Sequence, residues 1–290
     1  IARGGMGLIL EAVDPDLNRR VAIKVLLGGT SASPVLLSKF VLEAQVTGQL
    51  EHPHIVPVHE LGLDAAGAPY FTMKLVRGTS LQEVLVSLKR RGSARTIATR
   101  SRLLTDFLKI CDGVAFAHSR GVVHRDLKPA NVMLGEYGEV LVMDWGLAKV
   151  RGRKDQSTGA GPGDATAAFQ TLEGTVMGTP AYMPPEQAEG RTDEVDSASD
   201  VYSLGAILYE ILTLHAPYGG GSSRQVLERV RRGQLVPPCE RAPDISIPRE
   251  LEAVVLKAMA HDKSRRYERV LDLKADIEAF LEGRLLAAAD

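Results

Sequence analysis

The spacing of the apolar residues changes once along the chain, near residue 77, and this change limits the folds that the chain can adopt. Before that point, short runs of β-type residues alternate with turn residues, a period of about two that is typical of strands. After it, apolar residues recur at helical spacing over longer segments. We therefore predict an α+β fold, with a small β-rich part followed by a larger, mostly helical part.

The bounds of individual elements follow from the same patterns. The predicted strands cover residues 8–13, 20–27, 55–61 and 69–76. One helix, at residues 34–50, is predicted between the second and third strands, because Leu37, Phe40 and Ala44 recur at helical spacing. The helices predicted further along the chain cover residues 99–120, 197–214, 222–232, 249–260 and 270–282.

The composition argues against several classes of protein. The 35 basic and 36 acidic residues give a formal charge of −1, so the bulk charge does not predict binding to nucleic acid, and any charged partner must be recognised locally. The two cysteines, Cys111 and Cys239, lie far apart and form no C-x-x-C pair. This spacing argues against a disulfide framework or a zinc site, and it favours a reducing cytoplasm.

The longest apolar stretches are shorter than the roughly 18 residues that a membrane-spanning helix needs. We therefore expect this segment to be cytoplasmic and to make no membrane contact of its own. Whether the full-length protein has a membrane anchor outside this segment is left open. The chain begins without Met, and its first residues already resemble a strand that enters a glycine loop. This beginning predicts a fragment of a longer protein.

Two short motifs in the first part suggest a nucleotide site, although each is weak alone. The glycines of RGGMG at residues 3–7 leave backbone N–H groups open to phosphate oxygens, but a plain hairpin turn is the commoner meaning of such a loop. Lys24 ends the apolar strand motif VAIK, where a buried ammonium group requires an acidic partner such as Glu43. An isolated strand lysine is more often a solvated edge residue.

The segment HRDLKPAN at residues 124–131, followed by DWG at 144–146, carries the strongest functional signal. Phosphoryl transfer depends on charge neutralisation and in-line positioning more than on covalent catalysis, so acids, amides and a lysine must converge on one triphosphate. Those residue types occur here at fixed spacing, with a Pro-Glu pair further along the chain. A chance match of all these features is very improbable.

These motifs resemble those of bacterial protein kinases of the eukaryotic (Hanks) type, and the resemblance extends from residue 1 to about residue 281. It implies the bilobal protein-kinase fold. The implied parts are a kinase domain at 1–285, with an N-lobe at 1–76 and a C-lobe at 77–285, an activation segment at 144–186 with a flexible insertion at 151–168, and a tail at 286–290.

The resemblance assigns roles to the polar residues of the motifs. Asp126 would be the catalytic base or hydroxyl-orienting group, and Lys128 would steady the transferred phosphoryl group. Asn131 and Asp144 would hold Mg²⁺, with Mn²⁺ as an alternative metal. At the positions of Lys128 and Thr179, the chain resembles serine/threonine kinases rather than tyrosine kinases. The implied reaction is transfer of the γ-phosphate of ATP to Ser or Thr hydroxyls of proteins.

ATP would bind between the two lobes. Lys24, fixed by Glu43, would clamp the α- and β-phosphates. Met73 would be the gatekeeper, next to a connecting segment at 74–76 whose backbone offers hydrogen bonds to the base. For isolated methionines such as Met73 and Met133, ordinary core packing is the alternative. The nucleotide-binding residues implied by the resemblance are Ile1, Gly4, Gly7, Ile9, Ala22, Lys24, Glu43, Met73, Leu75 and Met133.

The segment GTPAYMPPE at residues 178–186 resembles the family's substrate-docking loop and the anchor motif that ends it. Glu186 would form a buried, structural ion pair with Arg266. Asp200 would brace the backbone of the catalytic loop, although an acid at the start of a helix is as often a plain N-cap.

Phosphorylation of the activation segment would act as the switch. Arg125 precedes the catalytic acid, and in the family this Arg is often neutralised by a phosphate. Thr175 is the first candidate acceptor and Thr171 the second, because both can fold back towards Arg125 and Lys149. Autophosphorylation between two copies implies a transient homodimer, and protein substrates with Ser or Thr acceptors are the other expected partners.

Four positions depart from the family's pattern. They are Ala2 in the glycine loop, Lys74 in the connecting segment, Trp145 in place of the usual Phe, and Pro184 in the anchor motif. None of them would touch a phosphate or a metal ion, although the bulk of Trp145 is expected to bias the balance of active and inactive states.

Two rival functions are less well supported. A pseudokinase usually lacks at least one catalytic residue, and none is missing here. A small-molecule phosphotransferase of similar fold would lack the docking segment at 178–186.

Overall fold

An antiparallel sheet forms the first part of the chain in the computed structural model, which describes residues 2–3, 7–91, 97–150 and 180–288. Its strands lie in the spatial order β1-β2-β3-β5-β4. They are β1 (Ala2–Arg3), β2 (Gly7–Asp14), β3 (Arg19–Leu26), β4 (Val58–Leu63) and β5 (Pro69–Lys74).

Helix α1 (Pro34–Gly48) covers one face of this sheet. The helix begins after Ser33, whose Oγ accepts a hydrogen bond from the N–H of Leu36 at 3.3 Å, and Pro34 supplies the fixed backbone angle that suits a first helical residue. Alternate residues of β3 and β5 point towards α1 and bury a small apolar core. The residues of this core are Ala22, Leu26, Phe40, Ala44, Val56, Phe71 and Met73.

The second part of the chain is built mainly from helices around α5. Every residue from Ser199 to Thr213 is buried, as expected of a helix that is surrounded on all sides. A Cβ at Gly205 would lie 2.8 Å from Ala258 Cβ, so glycine permits the close approach of α5 and α8. The helices are α2 (Leu81–Arg91), α3 (Ile97–Ser119), α4 (Pro185–Ala188), α5 (Ser197–Thr213), α6 (Ser223–Arg231), α7 (Pro238–Arg241), α8 (Arg249–Ala258) and α9 (Val270–Leu281).

Short strands connect the helices to the functional loops. The hairpin of β8 and β9 follows directly on the 3₁₀ turn Pro129–Asn131, and β6 pairs with the outer side of β8. These strands are β6 (Gly78–Ser80), β7 (Val122–Val123), β8 (Val132–Gly135), β9 (Val140–Val142) and β10 (Lys149–Val150).

The architecture confirms the predicted α+β, bilobal kinase fold. The predicted helices occur with ends that differ by at most two residues, whereas α2, α4 and α7 were not predicted. The strand predicted at 55–61 was placed too early, because Ile55 forms only an isolated bridge with Val142 and the strand begins at Val58. The boundary between the lobes at residue 77 and the bounds of the tail at 286–290 stay predictions. Leu286, the first residue of that tail, is buried against the helical core.

Several predicted features lie outside the described residues. They are Ile1, Gly4, the insertion at 151–168, Thr171, Thr175 and Thr179. In the part of the chain that the structure describes, no helix has both the length and the apolar character needed to cross a bilayer.

We expect Phe107→Ala, in α3, to lower the free energy of unfolding by about 3–5 kcal/mol, because the phenyl ring is fully buried in the helical core and its removal leaves a cavity. Urea unfolding followed by Trp145 fluorescence measures this loss, since the only tryptophan is buried in the same core. Tyr137→Ala is the control, because Tyr137 is 92% exposed and should change stability by less than about 0.5 kcal/mol. Equal losses in the two variants would contradict the described core.

Candidate active site

The catalytic-loop motif folds back on itself around Asp126. Asp126 Oδ2 accepts hydrogen bonds from Lys128 Nζ at 2.7 Å and from Asn131 Nδ2 at 3.2 Å. Asn131 Nδ2 also donates to the backbone carbonyl of Asp126 at 2.8 Å. The fixed spacing of the motif therefore has a local cause: its acid, lysine and amide form one hydrogen-bonded group.

The environment of Asp126 favours a carboxylate that can accept a proton. Burial raises its pKa above the ordinary value, the charge and hydrogen bond of Lys128 act in the opposite direction, and the negative charge of Asp144 adds to the rise. A carboxylate with a raised pKa is a stronger base than an exposed one, and a base is most effective when its pKa approaches the working pH.

Asp200 holds the catalytic loop from the side of α5. Its Oδ2 accepts from the backbone N–H of His124 at 2.8 Å and its Oδ1 from that of Arg125 at 2.9 Å. The ring nitrogen Nε2 of His118 lies 2.7 Å from Oδ2. The N-cap alternative is wrong, because the cap of α5 is Asp196 and Asp200 lies within the helix.

Asp200 is ionised in spite of complete burial. Burial acts to raise its pKa, but the hydrogen bond and charge of His118, the charge of His124 and the amide of Arg125 together hold the pKa below its ordinary value. A buried carboxylate with this many donors is a strong acceptor for the loop amides.

Two residues of the site have left-handed backbones. Arg125 has φ 71° and Asp144 has φ 63°, and residues other than glycine adopt this backbone conformation only at a cost of order 1–3 kcal/mol. Gln187 Nε2 donates to the carbonyl of Arg125 at 3.0 Å, and His124 Nε2 lies 3.1 Å from the carbonyl of Met143. These contacts hold the strained backbone in place and link the catalytic loop to the residue before Asp144.

Lys24 and Glu43 form a buried ion pair between β3 and α1. Lys24 Nζ lies 2.5 Å from Glu43 Oε1 and 4.0 Å from Asp144 Oδ1. Burial raises the pKa of Glu43 to about 7, although the charge and hydrogen bond of Lys24 oppose the shift; the charge of Asp144 adds to it. The pair therefore holds the ammonium group of Lys24, in the small lobe, close to the carboxylate of Asp144 in the large lobe.

Asn131 and Asp144 provide a donor set that fits a divalent metal ion. The Nδ2 of Asn131 is occupied by Asp126, which leaves its carbonyl oxygen as a ligand, and the side chain of Asp144 is 47% exposed. Oxygen donors of this kind suit Mg²⁺, which binds through one or two protein ligands, water and phosphate oxygens. Among the described residues, no group of three or more His, Cys, Asp or Glu side chains is arranged to hold a metal ion.

Apolar residues predicted to contact adenine lie together in the small lobe. Ala22 pairs with Met73 across β3 and β5, and Ile9 and Leu75 pack against the same apolar core. Met133 is placed on β8 of the large lobe, opposite Leu141. The apolar adenine slot between the lobes stays a prediction, and Met73 also serves as part of the core.

Gly7 has a steric reason to be glycine. A Cβ at this position would lie 2.8 Å from the carbonyl oxygen of Val25 and 3.2 Å from Lys24 Cγ. A side chain would displace either β3 or the lysine of the ion pair. Glycine at position 7 therefore allows β3 and Lys24 to keep their described positions.

Glu186 and Arg266 form a bidentate ion pair that is almost completely buried. The two N–O distances are 2.9 and 3.0 Å, and Ser199 Oγ donates to Glu186 Oε1 at 2.6 Å. Burial acts to raise the pKa of Glu186, but the hydrogen bonds and charge of Arg266 hold it below the ordinary value. The pair ties the end of the docking segment to the start of α5 and to the segment before α9.

Several residues that the sequence analysis missed complete the site. His118 contacts Asp200, 82 positions further along the chain, and Gln187 contacts Arg125 of the catalytic loop across 62 positions, so no local pattern marks them. Tyr182 donates a hydrogen bond to Glu210, a buried acid in the middle of α5. The Trp145 ring packs against the His124 ring, with centroids 4.5 Å apart and planes tilted by 52°, and Trp145 Nε1 is buried without a partner among the described residues.

The predicted regulatory basic residues have different surroundings. Lys149 Nζ donates to the carbonyl of Thr192 at 3.1 Å, which places the ammonium group near the turn Thr192–Glu194. The carbonyl of Arg125 is held by Gln187. Because Thr171 and Thr175 lie outside the described residues, their relation to these two side chains stays a prediction.

The two-lobe fold and the converging acids, amide and lysines define a phosphoryl-transfer domain. The sequence profile of the protein kinase domain matches residues 1–274, and the chain belongs to this family. Members of the family use ATP and a divalent metal ion.

The chain is also similar to full-length bacterial kinases. It is 38% identical over 292 residues to serine/threonine-protein kinase PknD of Protochlamydia amoebophila, covering 98% of this chain and 29% of that protein. It is 36% identical over 290 residues to PknD of Chlamydia pneumoniae, covering 98% and 30%. It is 36% identical over 291 residues to a probable serine/threonine-protein kinase of Streptomyces coelicolor, covering 99% and 40%. The chain thus spans less than half the length of these relatives.

We expect the carboxyl group of Glu43 to titrate near pH 7, and Lys24→Met to raise its pKa further, because the lysine favours the ionised form. Since the pKa in the folded state exceeds the ordinary value of 4.5, the folded state binds more protons between these values, and this group's contribution to stability falls as the pH rises from 4.5 to 7. Carbon-13 NMR of δ-labelled glutamate measures the pKa, and Glu43→Gln assigns the resonance. A pKa near 4.5, or a decrease in Lys24→Met, would contradict the described burial.

Proposed function

We propose that the chain is a serine/threonine protein kinase domain that transfers the γ-phosphate of ATP to hydroxyl groups of proteins. The observation that carries this proposal is the arrangement of Asp126, Lys128 and Asn131 in one hydrogen-bonded group, with the loop amides held by Asp200. The named relatives, which are serine/threonine kinases, support the same reaction.

Each polar residue has a role in this reaction. Asp126 accepts the proton of the substrate hydroxyl, or orients that hydroxyl, while Lys128 neutralises charge on the transferred group. Lys24, held by Glu43, binds the non-bridging oxygens of the α- and β-phosphates. Asn131 and Asp144 would hold Mg²⁺ or Mn²⁺, which neutralises negative charge on the phosphates when bound.

The carboxylate of Asp144 interacts with the Lys24–Glu43 ion pair and with Asp126. Its Oδ1 is 4.0 Å from Lys24 Nζ, and its charge raises the pKa values of Glu43 and Asp126. A cation bound at Asp144 offsets this charge, so we expect metal binding to lower both pKa values and to favour the Lys24–Glu43 ion pair. The proposed metal site is therefore coupled to the phosphate clamp.

Regulation and partners form the finer part of the proposal. Phosphorylation of Thr175 or Thr171 would place a dianion near Arg125 and Lys149, where two cations can bind it. Transfer between two copies in a transient homodimer would supply this phosphate, and protein substrates are the other partners. We place the reaction in the cytoplasm, where ATP and reduced cysteines occur together.

We expect Asp126→Asn to reduce the rate of peptide phosphorylation by about 10²–10⁴-fold, because an amide cannot accept the substrate proton. Transfer of ³²P from Mg²⁺-ATP to a Ser/Thr peptide measures the rate, and mass spectrometry locates phosphate on the chain itself. Phosphate on Thr175 or Thr171 in the unaltered protein alone would support the switch.

Asp244→Asn is the matched control, because Asp244 is exposed between α7 and α8, two helices that supply no residue of the described site, and the rate should stay within about twofold of the unaltered protein. Absence of transfer by the unaltered, folded protein, while Trp145 fluorescence still responds to ATP, would reject the kinase function in favour of a pseudokinase.

A further inference from the structure

A run of basic residues without any acid spans the junction of α2 and α3, and the proposed catalytic roles leave it unexplained. The formal charge of the whole chain is only −1, so this run concentrates positive charge locally. Within residues 89–102 the charged residues are Lys89, Arg90, Arg91, Arg95, Arg100 and Arg102.

Two of these residues line a groove on α2. The groove has a volume of about 500 Å³, and its lining positions recur at intervals of four, so they share one face of the helix. The opposite face of α2 carries Leu81 and Leu85, which are buried in the helical core. The described lining residues are Gln82, Glu83, Val86, Ser87, Arg90 and Arg91.

One end of the groove lies beside the active site. Gln82 Nε2 donates to Glu210 Oε1 at 3.4 Å, and Gln82 Oε1 lies 3.5 Å from Tyr182 Oη. Tyr182 belongs to the segment that resembles a substrate-docking loop, and α2 packs on the turn Pro129–Asn131 of the catalytic loop. A protein segment that reaches Asp126 past Tyr182 therefore meets the groove at Gln82.

The charges of the groove are distributed unequally along the helix. Near its start, Glu83 Oε2 accepts hydrogen bonds from the N–H and Oγ of Ser80 at 2.7 and 2.8 Å, so this carboxylate is occupied locally. Arg90 and Arg91 are exposed at the other end, about 12 Å from Gln82 along the axis. Basic residues favour the C-terminal end of any helix, but two arginines on one groove also offer the donor geometry that carboxylates bind.

We propose that this groove is a substrate-recognition site in which Arg90 and Arg91 bind acidic side chains of the protein substrate; the inference rests on the proposed kinase function. An extended chain advances about 3.3–3.6 Å per residue, so the acidic side chains lie about three or four residues from the residue that contacts Gln82. The described lining residues include no aromatic ring on which a nucleic-acid base could stack, and this favours a polypeptide as the ligand.

The test compares peptides that share one Ser/Thr acceptor and differ in their flanking residues. One set carries Asp and Glu on either side of the acceptor, and matched sets carry Asn and Gln, Lys, or phosphoserine at the same positions. We expect the unaltered protein to have a KM about tenfold lower for the better acidic peptide than for its neutral match, with kcat changed less than twofold.

The decisive variant is Arg90→Glu/Arg91→Glu. It should abolish the preference for the acidic peptide, leave phosphorylation of the neutral peptide within about twofold, and prefer the Lys peptide, a reversal that a merely structural role would not produce. Arg224→Glu/Arg284→Glu is the matched control, because both residues are exposed elsewhere and the net charge changes equally. The control should keep the acidic preference.

Several results would overturn the inference. Equal kcat/KM values for acidic and neutral peptides would leave the kinase function standing and remove the recognition site. A preference confined to phosphoserine, or Arg90- and Arg91-dependent binding to phosphatidylglycerol vesicles or RNA without any peptide preference, would assign the groove to another ligand. Absence of transfer to any peptide would instead contradict the proposed function itself.

Discussion

The geometry of the active site depends on one buried carboxylate. Asp200 accepts two consecutive backbone N–H groups of the catalytic loop and a hydrogen bond from His118. Burial of a charge costs several kcal/mol unless donors satisfy it, so the folded state stabilises the loop and the carboxylate together. Displacement of the loop would leave a buried charge without partners, and this penalty offsets the strain of the left-handed backbone at Arg125.

Two further buried ion pairs extend the same principle to the rest of the molecule. Arg266 holds Glu186 and thereby fixes the end of the docking segment, and Lys24 joins Glu43 across the interface of β3 and α1. Replacement of a buried ion pair by well-packed apolar residues is often neutral for stability, whereas removal of one partner leaves an uncompensated buried charge. Each pair forms in only one relative arrangement of its two elements, so both pairs help to fix the geometry of the molecule. Loss of either partner costs free energy of folding.

The sequence was most informative where the pattern was local. The helices beyond residue 97 repeat their apolar residues over several turns, and Asp126, Lys128 and Asn131 meet because their spacing matches one tight loop. Partners that are distant in sequence could not be found in this way: His118 reaches Asp200 across 82 positions. Helix α2 was missed although Leu81, Leu85 and Leu88 recur at helical spacing, because it follows β6 without a break. Strands of two to four residues contain too few alternations to form a pattern.

The central claim is that Asp200 holds the catalytic loop in the geometry that phosphoryl transfer requires, and a comparison of Asp200→Asn with Asp196→Asn tests it most directly. Asp196 caps the start of the same helix, and its described hydrogen bonds and ion pair join it to Ala198, Ser199 and Lys263. The account predicts that kcat for peptide phosphorylation falls on the order of 10²-fold in folded Asp200→Asn and less than about twofold in Asp196→Asn, because a displacement of about 1 Å is enough for such a loss. A folded Asp200→Asn variant with unchanged kcat would contradict it.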